Sequence, residues 1–284
     1  MNDSEIFITG ANGQLGRALK ARYPGAQSAD IGELDITDAG SVASYDWSTI
    51  KIILNAAAYT NVDGAETAEG RVAAWNVNAT AVGHLVKAAI EHDMTLVHIS
   101  TDYVFDGTWE PHTENEPFSP LGVYAQTKAA GDIAVSPVPK HYVLRSSWVV
   151  GDGPNFVRTM LGLGAKGIGP TVVADQVGRL TFTTELVKAI DHLLATNAAY
   201  GTYNVSNSGD PASWAEITRE IFKRAGYDLT VTDTTTEEYF KDKEGIAPRP
   251  LKSTLSLDKL EATGFTPTDW RDDLTKYIAK EKES

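Results

Sequence analysis

The chain has 284 residues, 42% of them hydrophobic and 22% charged, and its 25 lysines and arginines against 38 aspartates and glutamates give a net charge of −13. That balance argues against nucleic acid or an anionic membrane surface as a partner, since both are held by clustered cations. The absence of cysteine excludes disulfides, thiolate chemistry and Cys-ligated metals.

No uninterrupted apolar span is long enough to cross a membrane, and a strand, not a signal-peptide pattern, begins within the first few residues. We therefore expect a cytoplasmic protein. His84, His92, His98, His112, His141 and His192 show no metal-ligand spacing, so no metal site is expected.

In chain order, the apolar run Ile6-Phe7-Ile8 leads into Thr9-Gly10-Ala11-Asn12-Gly13-Gln14-Leu15-Gly16, and the helix-forming segment Arg17-Ala18-Leu19-Lys20 follows. A strand that breaks on glycines and restarts as a helix offers backbone N–H groups and a positive helix end to a pyrophosphate. Gly10, Asn12, Gly13, Gln14, Leu15 and Gly16 are thus candidate cofactor contacts. The Gly-x-x-Gly-x-x-Gly spacing differs from the common dehydrogenase fingerprint, and glycines also serve steric ends, so a purely structural turn stays open on this motif alone.

Asp30, Asp35 and Ile36 come after this first strand–helix unit, where an acidic residue commonly meets the adenosine ribose or the adenine; solvation of a loop is the plainer alternative. Asp30 favours NADH, whereas Arg17 is placed to meet a 2′-phosphate, so the choice between NADH and NADPH stays open.

Ile52-Ile53-Leu54 then runs into Asn55-Ala56-Ala57-Ala58, a helix-compatible stretch covers 66–91, Leu96-Val97-His98-Ile99 ends in Ser100-Thr101-Asp102, and Tyr142-Val143-Leu144-Arg145 reads as another strand. Strand, crossover helix and strand in repetition predict an α/β fold with a Rossmann-like, doubly wound parallel sheet. We expect residues 1–150 to form that dinucleotide-binding domain, which also receives part of 170–205. Residues 151–284 are expected mainly as a smaller substrate-binding lobe interleaved with it. The run Gly162-Leu163-Gly164-Ala165-Lys166-Gly167-Ile168-Gly169-Pro170 is too rich in glycine for a regular element.

Tyr124 and Lys128 are four apart, hence on one face of a helix, and an ammonium near a phenol lowers its pKa and makes it a usable acid towards a carbonyl receiving hydride. The spacing recurs at Tyr239 and Lys243, in a polar segment that reads as surface. What favours the first pair is its position after the strand tipped by Ser100-Thr101.

Asn55-Ala56-Ala57-Ala58-Tyr59-Thr60-Asn61-Val62-Asp63, Ser100-Thr101-Asp102-Tyr103-Val104-Phe105-Asp106-Gly107, Tyr124 with Lys128, Arg145-Ser146-Ser147-Trp148, Asp175-Gln176-Val177-Gly178, and Pro248-Arg249-Pro250 with Ser253 occur in this order. Together they resemble the dTDP-4-dehydrorhamnose reductase family of extended short-chain dehydrogenases/reductases over nearly the whole chain. The resemblance implies NADPH- or NADH-dependent reduction of the 4-keto group of dTDP-4-dehydro-6-deoxy-L-mannose (dTDP-4-dehydrorhamnose) to dTDP-L-rhamnose, the last step of that nucleotide sugar's synthesis. It also implies a functional link with a 3,5-epimerase.

Carried over, Tyr124 is the proton donor, Lys128 holds the nicotinamide ribose and tunes the tyrosine, and Thr101 positions the carbonyl. Ala56, Ala57, Ala58 and Tyr59 belong to the cofactor wall. Thr60, Val62, Asp102, Tyr103, Trp148 and Asn155 belong to the sugar pocket, and Arg249 suits the diphosphate.

Three positions depart from the family pattern. Ala125 replaces the glycine after the tyrosine, Gly178-Arg179-Leu180-Thr181 replaces Gly-x-Pro-Thr, and Ala18 stands where some relatives carry a glutamate tied to a magnesium-bridged dimer. A dehydratase on this fold needs an Asp-Glu pair where the chain has Asp102-Tyr103. Another nucleotide-sugar reductase or epimerase is harder to separate. A non-catalytic nucleotide-binding subunit, similar to the regulatory β subunit of methionine adenosyltransferase, is the alternative from a different class.

Overall fold

The apolar runs read above become the middle of a sheet in the computed structural model, which describes residues 2–283. The strands are β1 (Ile6–Thr9), β2 (Gln27–Ala29), β3 (Ile52–Asn55), β4 (Thr95–Thr101), β5 (His141–Ser146) and an edge strand Gly201–Asn204. All pair in parallel, in the order Gly201–Asn204, β5, β4, β3, β1, β2.

Side chains alternate across a strand, so each run feeds two cores. Ile6, Ile8, Leu54, Val97, Leu144 and Tyr203 pack beneath the helices Gln14–Arg22 and Thr183–Thr196. Phe7, Ile53, Leu96 and Val143 pack beneath Ala81–Glu91 and Ala39–Ser44. A parallel sheet buried on both faces needs such continuous apolar strands. After β2 the chain crosses back over β1 to β3, which leaves a crevice at the carboxyl ends of β1 and β3, the usual ligand position in such sheets.

The two edge strands carry weak local signals. Gln27-Ser28-Ala29 buries only Ala29, and Gly201–Asn204 opens on a glycine with φ +134°. Both are strands because a neighbour pairs with them.

The 66–91 stretch is helical in pieces: Ala68–Trp75, a π turn at Asn76–Thr80, and Ala81–Glu91. The π turn carries Asn78, whose amide accepts from the N–H of Tyr59 at 2.8 Å and donates to the Tyr59 carbonyl at 3.0 Å and the Thr127 hydroxyl at 3.1 Å. A widened turn at a site that must aim one side chain is a familiar use of π geometry.

One expectation is overturned. Phe156–Ala165 is a helix although it contains Gly162 and Gly164. Burial of Val157 and Met160 in the core of the C-terminal part, with Leu180, Ile221, Phe222, Trp270 and Leu274, outweighs the glycine cost. Gly164 is required by packing, because a Cβ there lies 2.3 Å from Cδ2 of Tyr227. The glycine signal ends the helix at Gly167, φ +68°.

Candidate active site

The glycine turn is shaped by close backbone contacts. Gly10 has φ +62°, and a Cβ on it sits 2.6 Å from the amide nitrogen of Ala57; a Cβ on Gly16 sits 2.1 Å from the carbonyl oxygen of Gly10. Gly10 and Gly16 thus let β1, the turn and the β3 tip interlock. Gly13 precedes the Gln14–Arg22 helix without a side-chain cap, leaving that helix's first N–H groups without one.

The β3 tip is held from below. Thr9 donates to Asn55 Oδ1 at 2.7 Å, which also accepts from the Ala57 N–H at 3.3 Å. Asn55 Nδ2 lies 3.0 Å from Nδ1 of His98, whose burial keeps it neutral and lets that nitrogen accept.

Two cavities meet along this turn. The smaller, about 300 Å³, is lined by Asp30, Asp35 and Ile36 among others, and the larger, about 540 Å³, by Thr101, Tyr124 and Lys128. Gly13, Ala56, Ala57 and Ala58 line both, so the two form one elongated trough over the carboxyl ends of β1 and β3. Gln14, Leu15, Thr60, Val62, Asp102, Tyr103, Trp148 and Asn155 also line the larger cavity.

Lys128 and Tyr124 share a face of the Val123–Val135 helix. Burial pulls the Lys128 ammonium down to about 8, opposed by the Asp132 carboxylate one turn further along. Burial first, then the charge of Asp102, pushes the Tyr124 phenol above its usual range, with the Thr101 hydroxyl acting the other way. Tyr124 is therefore held protonated.

Thr101 donates to Asp102 Oδ1 at 3.0 Å and accepts from the Tyr103 N–H at 3.2 Å. Burial raises the Asp102 carboxyl to about 6, and the Ser253 and Thr101 hydroxyls act against the rise. Asp102 and Ser100, both buried polar residues, also line the larger cavity.

Several expected residues sit elsewhere or are already engaged. Arg249 is outside both linings; its Nη2 donates to Asp63 Oδ1 and Oδ2 at 2.8 Å and its Nη1 to the Ala247 carbonyl at 2.8 Å, so a diphosphate has to compete with that bidentate pair. Arg17 turns to the Asn12 carbonyl and Asp152, away from the smaller cavity. Asn155 caps the Phe156–Ala165 helix, accepting from the Arg158 N–H at 3.0 Å while its Nδ2 serves the Gly151 and Gly153 carbonyls and the Tyr277 hydroxyl. Tyr59 packs with Ala65, Ala74 and Val123 outside the linings, and Asn12 and Gly16 shape the turn from outside them.

Sequence reasoning missed Trp214, whose ring stacks on Trp148 at 3.7 Å and 20° and which lines the larger cavity. It stands 66 positions from Trp148, and no local motif announces it. Trp148 itself has φ +47°, a costly conformation for a bulky residue that its stacked partner helps hold. A further cavity, about 800 Å³, opens between the Gln14–Arg22, Thr183–Thr196 and Trp270–Glu283 helices, but Thr101, Tyr124 and Lys128 do not line it.

Fold and site define a Rossmann-type protein with a Tyr-x-x-x-Lys pair beside the glycine turn, the arrangement of a short-chain dehydrogenase/reductase. The model of the RmlD substrate binding domain matches residues 4–283, and the chain belongs to that family. It is 36% identical to the dTDP-4-dehydrorhamnose reductase of Aggregatibacter actinomycetemcomitans, over 94% of this chain and 96% of that one. Among solved structures, a dTDP-4-dehydrorhamnose reductase of Clostridium acetobutylicum superposes with a TM-score of 0.91 at 37% identity, covering 98% and 99% of the two chains. One from Bacillus anthracis in complex with NADP superposes at 0.88 with 34% identity, covering 97% and 98%.

Proposed function

We propose that the protein is an oxidoreductase that uses NADH or NADPH to reduce the 4-keto group of dTDP-4-dehydrorhamnose to dTDP-L-rhamnose. One juxtaposition carries this: Thr101, Tyr124 and Lys128 line the same cavity, which runs on past Gly13 and Ala56–Ala58 into a second. Membership of a family whose similar members are named dTDP-4-dehydrorhamnose reductase supports it.

The residues present fit a dinucleotide. Gly10 and Gly13, with the uncapped helix behind them, suit the pyrophosphate, Asp30, Asp35 and Ile36 the adenosine, and Ala56–Ala58 and Lys128 the nicotinamide half. Bound there, a reduced nicotinamide supplies the hydride.

Tyr124, protonated as its burial dictates, donates the phenolic proton to the oxygen of the carbonyl as the carbon accepts the hydride, which leaves a secondary alcohol and a phenolate. Lys128 hydrogen-bonds the ribose and, when charged, lowers the cost of that phenolate. Thr101 steers the carbonyl oxygen, and Asp102, Tyr103, Val62, Thr60 and the Trp148–Trp214 stack form the sugar pocket.

The Asp102-Tyr103 sequence lacks the carboxylate pair of a dehydratase. Residues up to about 150 with the Thr183–Asn204 return make the cofactor-binding half, and most of the remainder makes the substrate half. No helix among the described residues is long and apolar enough to cross a membrane, and we infer a cytoplasmic enzyme functionally linked to a 3,5-epimerase.

The test is oxidation of reduced nicotinamide in the presence of dTDP-4-keto-6-deoxyglucose and a separate 3,5-epimerase. Epimerase-dependent oxidation with dTDP-L-rhamnose as product is expected. Cofactor binding without any oxidation overturns dTDP-4-dehydrorhamnose as the substrate, in favour of a binding subunit or of a reductase for a different keto sugar.

A further inference from the structure

The helix that presents Tyr124 begins without a cap of its own. Its N-cap residue, Gly122, has no side chain to meet the first N–H groups. A carboxylate 57 positions earlier in the chain meets one of them instead: Glu66 Oε1 accepts from the Val123 N–H at 2.8 Å. Gly122 allows this approach, because a Cβ there lies 2.8 Å from the same oxygen. Val123 is the residue before Tyr124, so the bond is made one peptide unit from the proposed acid, and it sets a negative charge at the positive end of the helix.

Glu66 is itself firmly mounted. It ends the short turn Gly64–Glu66, in which the Gly64 N–H donates to Asn61 Oδ1 at 2.9 Å and the Glu66 N–H to the Asp63 carbonyl at 3.1 Å. Ala65 is buried against Ala74 and Val123, and Tyr124 packs on that cluster. Thr60 and Val62, just before the turn, line the larger cavity. One short segment therefore carries two walls of the cavity and the anchor of the Tyr124 helix. Glu66 lines neither cavity, so it has no direct contact to offer a substrate there.

On the reading that Tyr124 is the proton donor, we propose that Glu66 is its positioning residue. The bond to Val123 fixes the first turn of the helix against the segment bearing Thr60 and Val62, and thereby fixes the distance from the phenol to a carbonyl held by that wall. A displacement of about 1 Å in a reacting group costs on the order of 10²-fold in rate, and the first turn of an uncapped helix is where such displacement is easiest.

The experiment places Glu66→Ala and Glu66→Gln in the unaltered chain and in Tyr124→Phe, and measures oxidation of reduced nicotinamide with dTDP-4-keto-6-deoxyglucose and a 3,5-epimerase. Glu66→Ala is expected to lower kcat by about tenfold or more, with KM and the cofactor affinity read by fluorescence titration little changed. Glu66→Gln keeps an acceptor oxygen at the same reach and is expected to recover most of the loss. Hydrogen exchange of the amides at 123–126 is expected to quicken in Glu66→Ala and to return in Glu66→Gln. In the Tyr124→Phe background Glu66→Ala is expected to cost almost nothing further, because no phenol is left to place. Glu66→Asp, which keeps the charge and shortens the reach by one methylene, is expected to lower kcat likewise and decides if Glu66→Ala does not fold. An unchanged kcat in these shortened variants, or an equal loss with and without the phenol, overturns the proposal alone. No oxidation by the unaltered chain, or an undiminished kcat in Tyr124→Phe, overturns the reading of Tyr124 as the acid, and the proposal with it.

Discussion

The Lys128 ammonium donates a 2.6 Å hydrogen bond to the carbonyl oxygen of Ile99, two residues before Thr101 on β4. One of its three protons is spent on the strand, and the helix–strand contact thereby fixes where the other two point. The same bond couples the lysine to the strand whose tip presents Thr101, so Tyr124, Lys128 and Thr101 hold one geometry.

Tyr124→Phe removes the proposed acid without removing a cavity wall. We expect kcat to fall by about 10²-fold or more while affinity for the reduced nicotinamide cofactor changes little, as measured by steady-state kinetics and fluorescence titration. Lys128→Met is expected to lower both kcat and cofactor affinity. Because burial sets the Lys128 ammonium near 8, kcat/KM of the unaltered enzyme is expected to decline above pH 8 as that charge is lost.

Asp102 titrates in the opposite sense to an ordinary paired carboxylate. Its folded value, about 6, lies above the usual 3.8, so the folded state holds an extra proton between those values. The stability this contributes is present below pH 4 and lost as pH rises through 6. Asp102→Asn is therefore expected to be more stable than the unaltered chain at pH 8, by about 1–3 kcal/mol, with the difference vanishing near pH 4. Urea unfolding at the two pH values measures this; equal differences at both refute it.

Asp132 and Arg145 form a buried pair, Nε to Oδ2 at 3.0 Å, with the guanidinium over the rings of Phe105 and Phe118 and donating to the Glu114 carbonyl at 3.1 Å. Arg145→Met leaves a buried carboxylate without its counter-charge, a loss of about 3–5 kcal/mol. The double substitution Asp132→Leu with Arg145→Met is expected to recover much of that in a denaturant series, because neither charge is then stranded.

Two glycines in one helix are expected to respond with opposite signs. Gly162→Ala meets nothing within 4 Å and is expected to stabilise by about 0.4–1 kcal/mol through lower unfolded-state entropy. Gly164→Ala drives a methyl into the Tyr227 ring and is expected to cost about 1–3 kcal/mol. Thermal melts of the two variants distinguish them.

Strand–turn–helix at 6–22, the apolar strands at 52, 95 and 141, and the shared face of Tyr124 and Lys128 were legible because each is a property of neighbours in the chain. Alternation across strands and the helical repeat need no distant partner to be recognised. The polar edge strand Gln27–Ala29 and the glycine-bearing Phe156–Ala165 helix were not, because local propensity opposes both and only pairing or burial against remote residues decides them.

The chain's own pattern thus determined the parallel sheet, the glycine turn and the shared helix face of Tyr124 and Lys128. Tertiary structure alone decided which charges are free. It paired Arg249 with Asp63 across 186 positions and Arg17 with Asp152 across 135, and stacked Trp214 on Trp148. Such partners are chosen by the packing of the whole molecule, where a long-range contact forms only if the elements carrying it are already held by their cores, and no short stretch of sequence contains that sum.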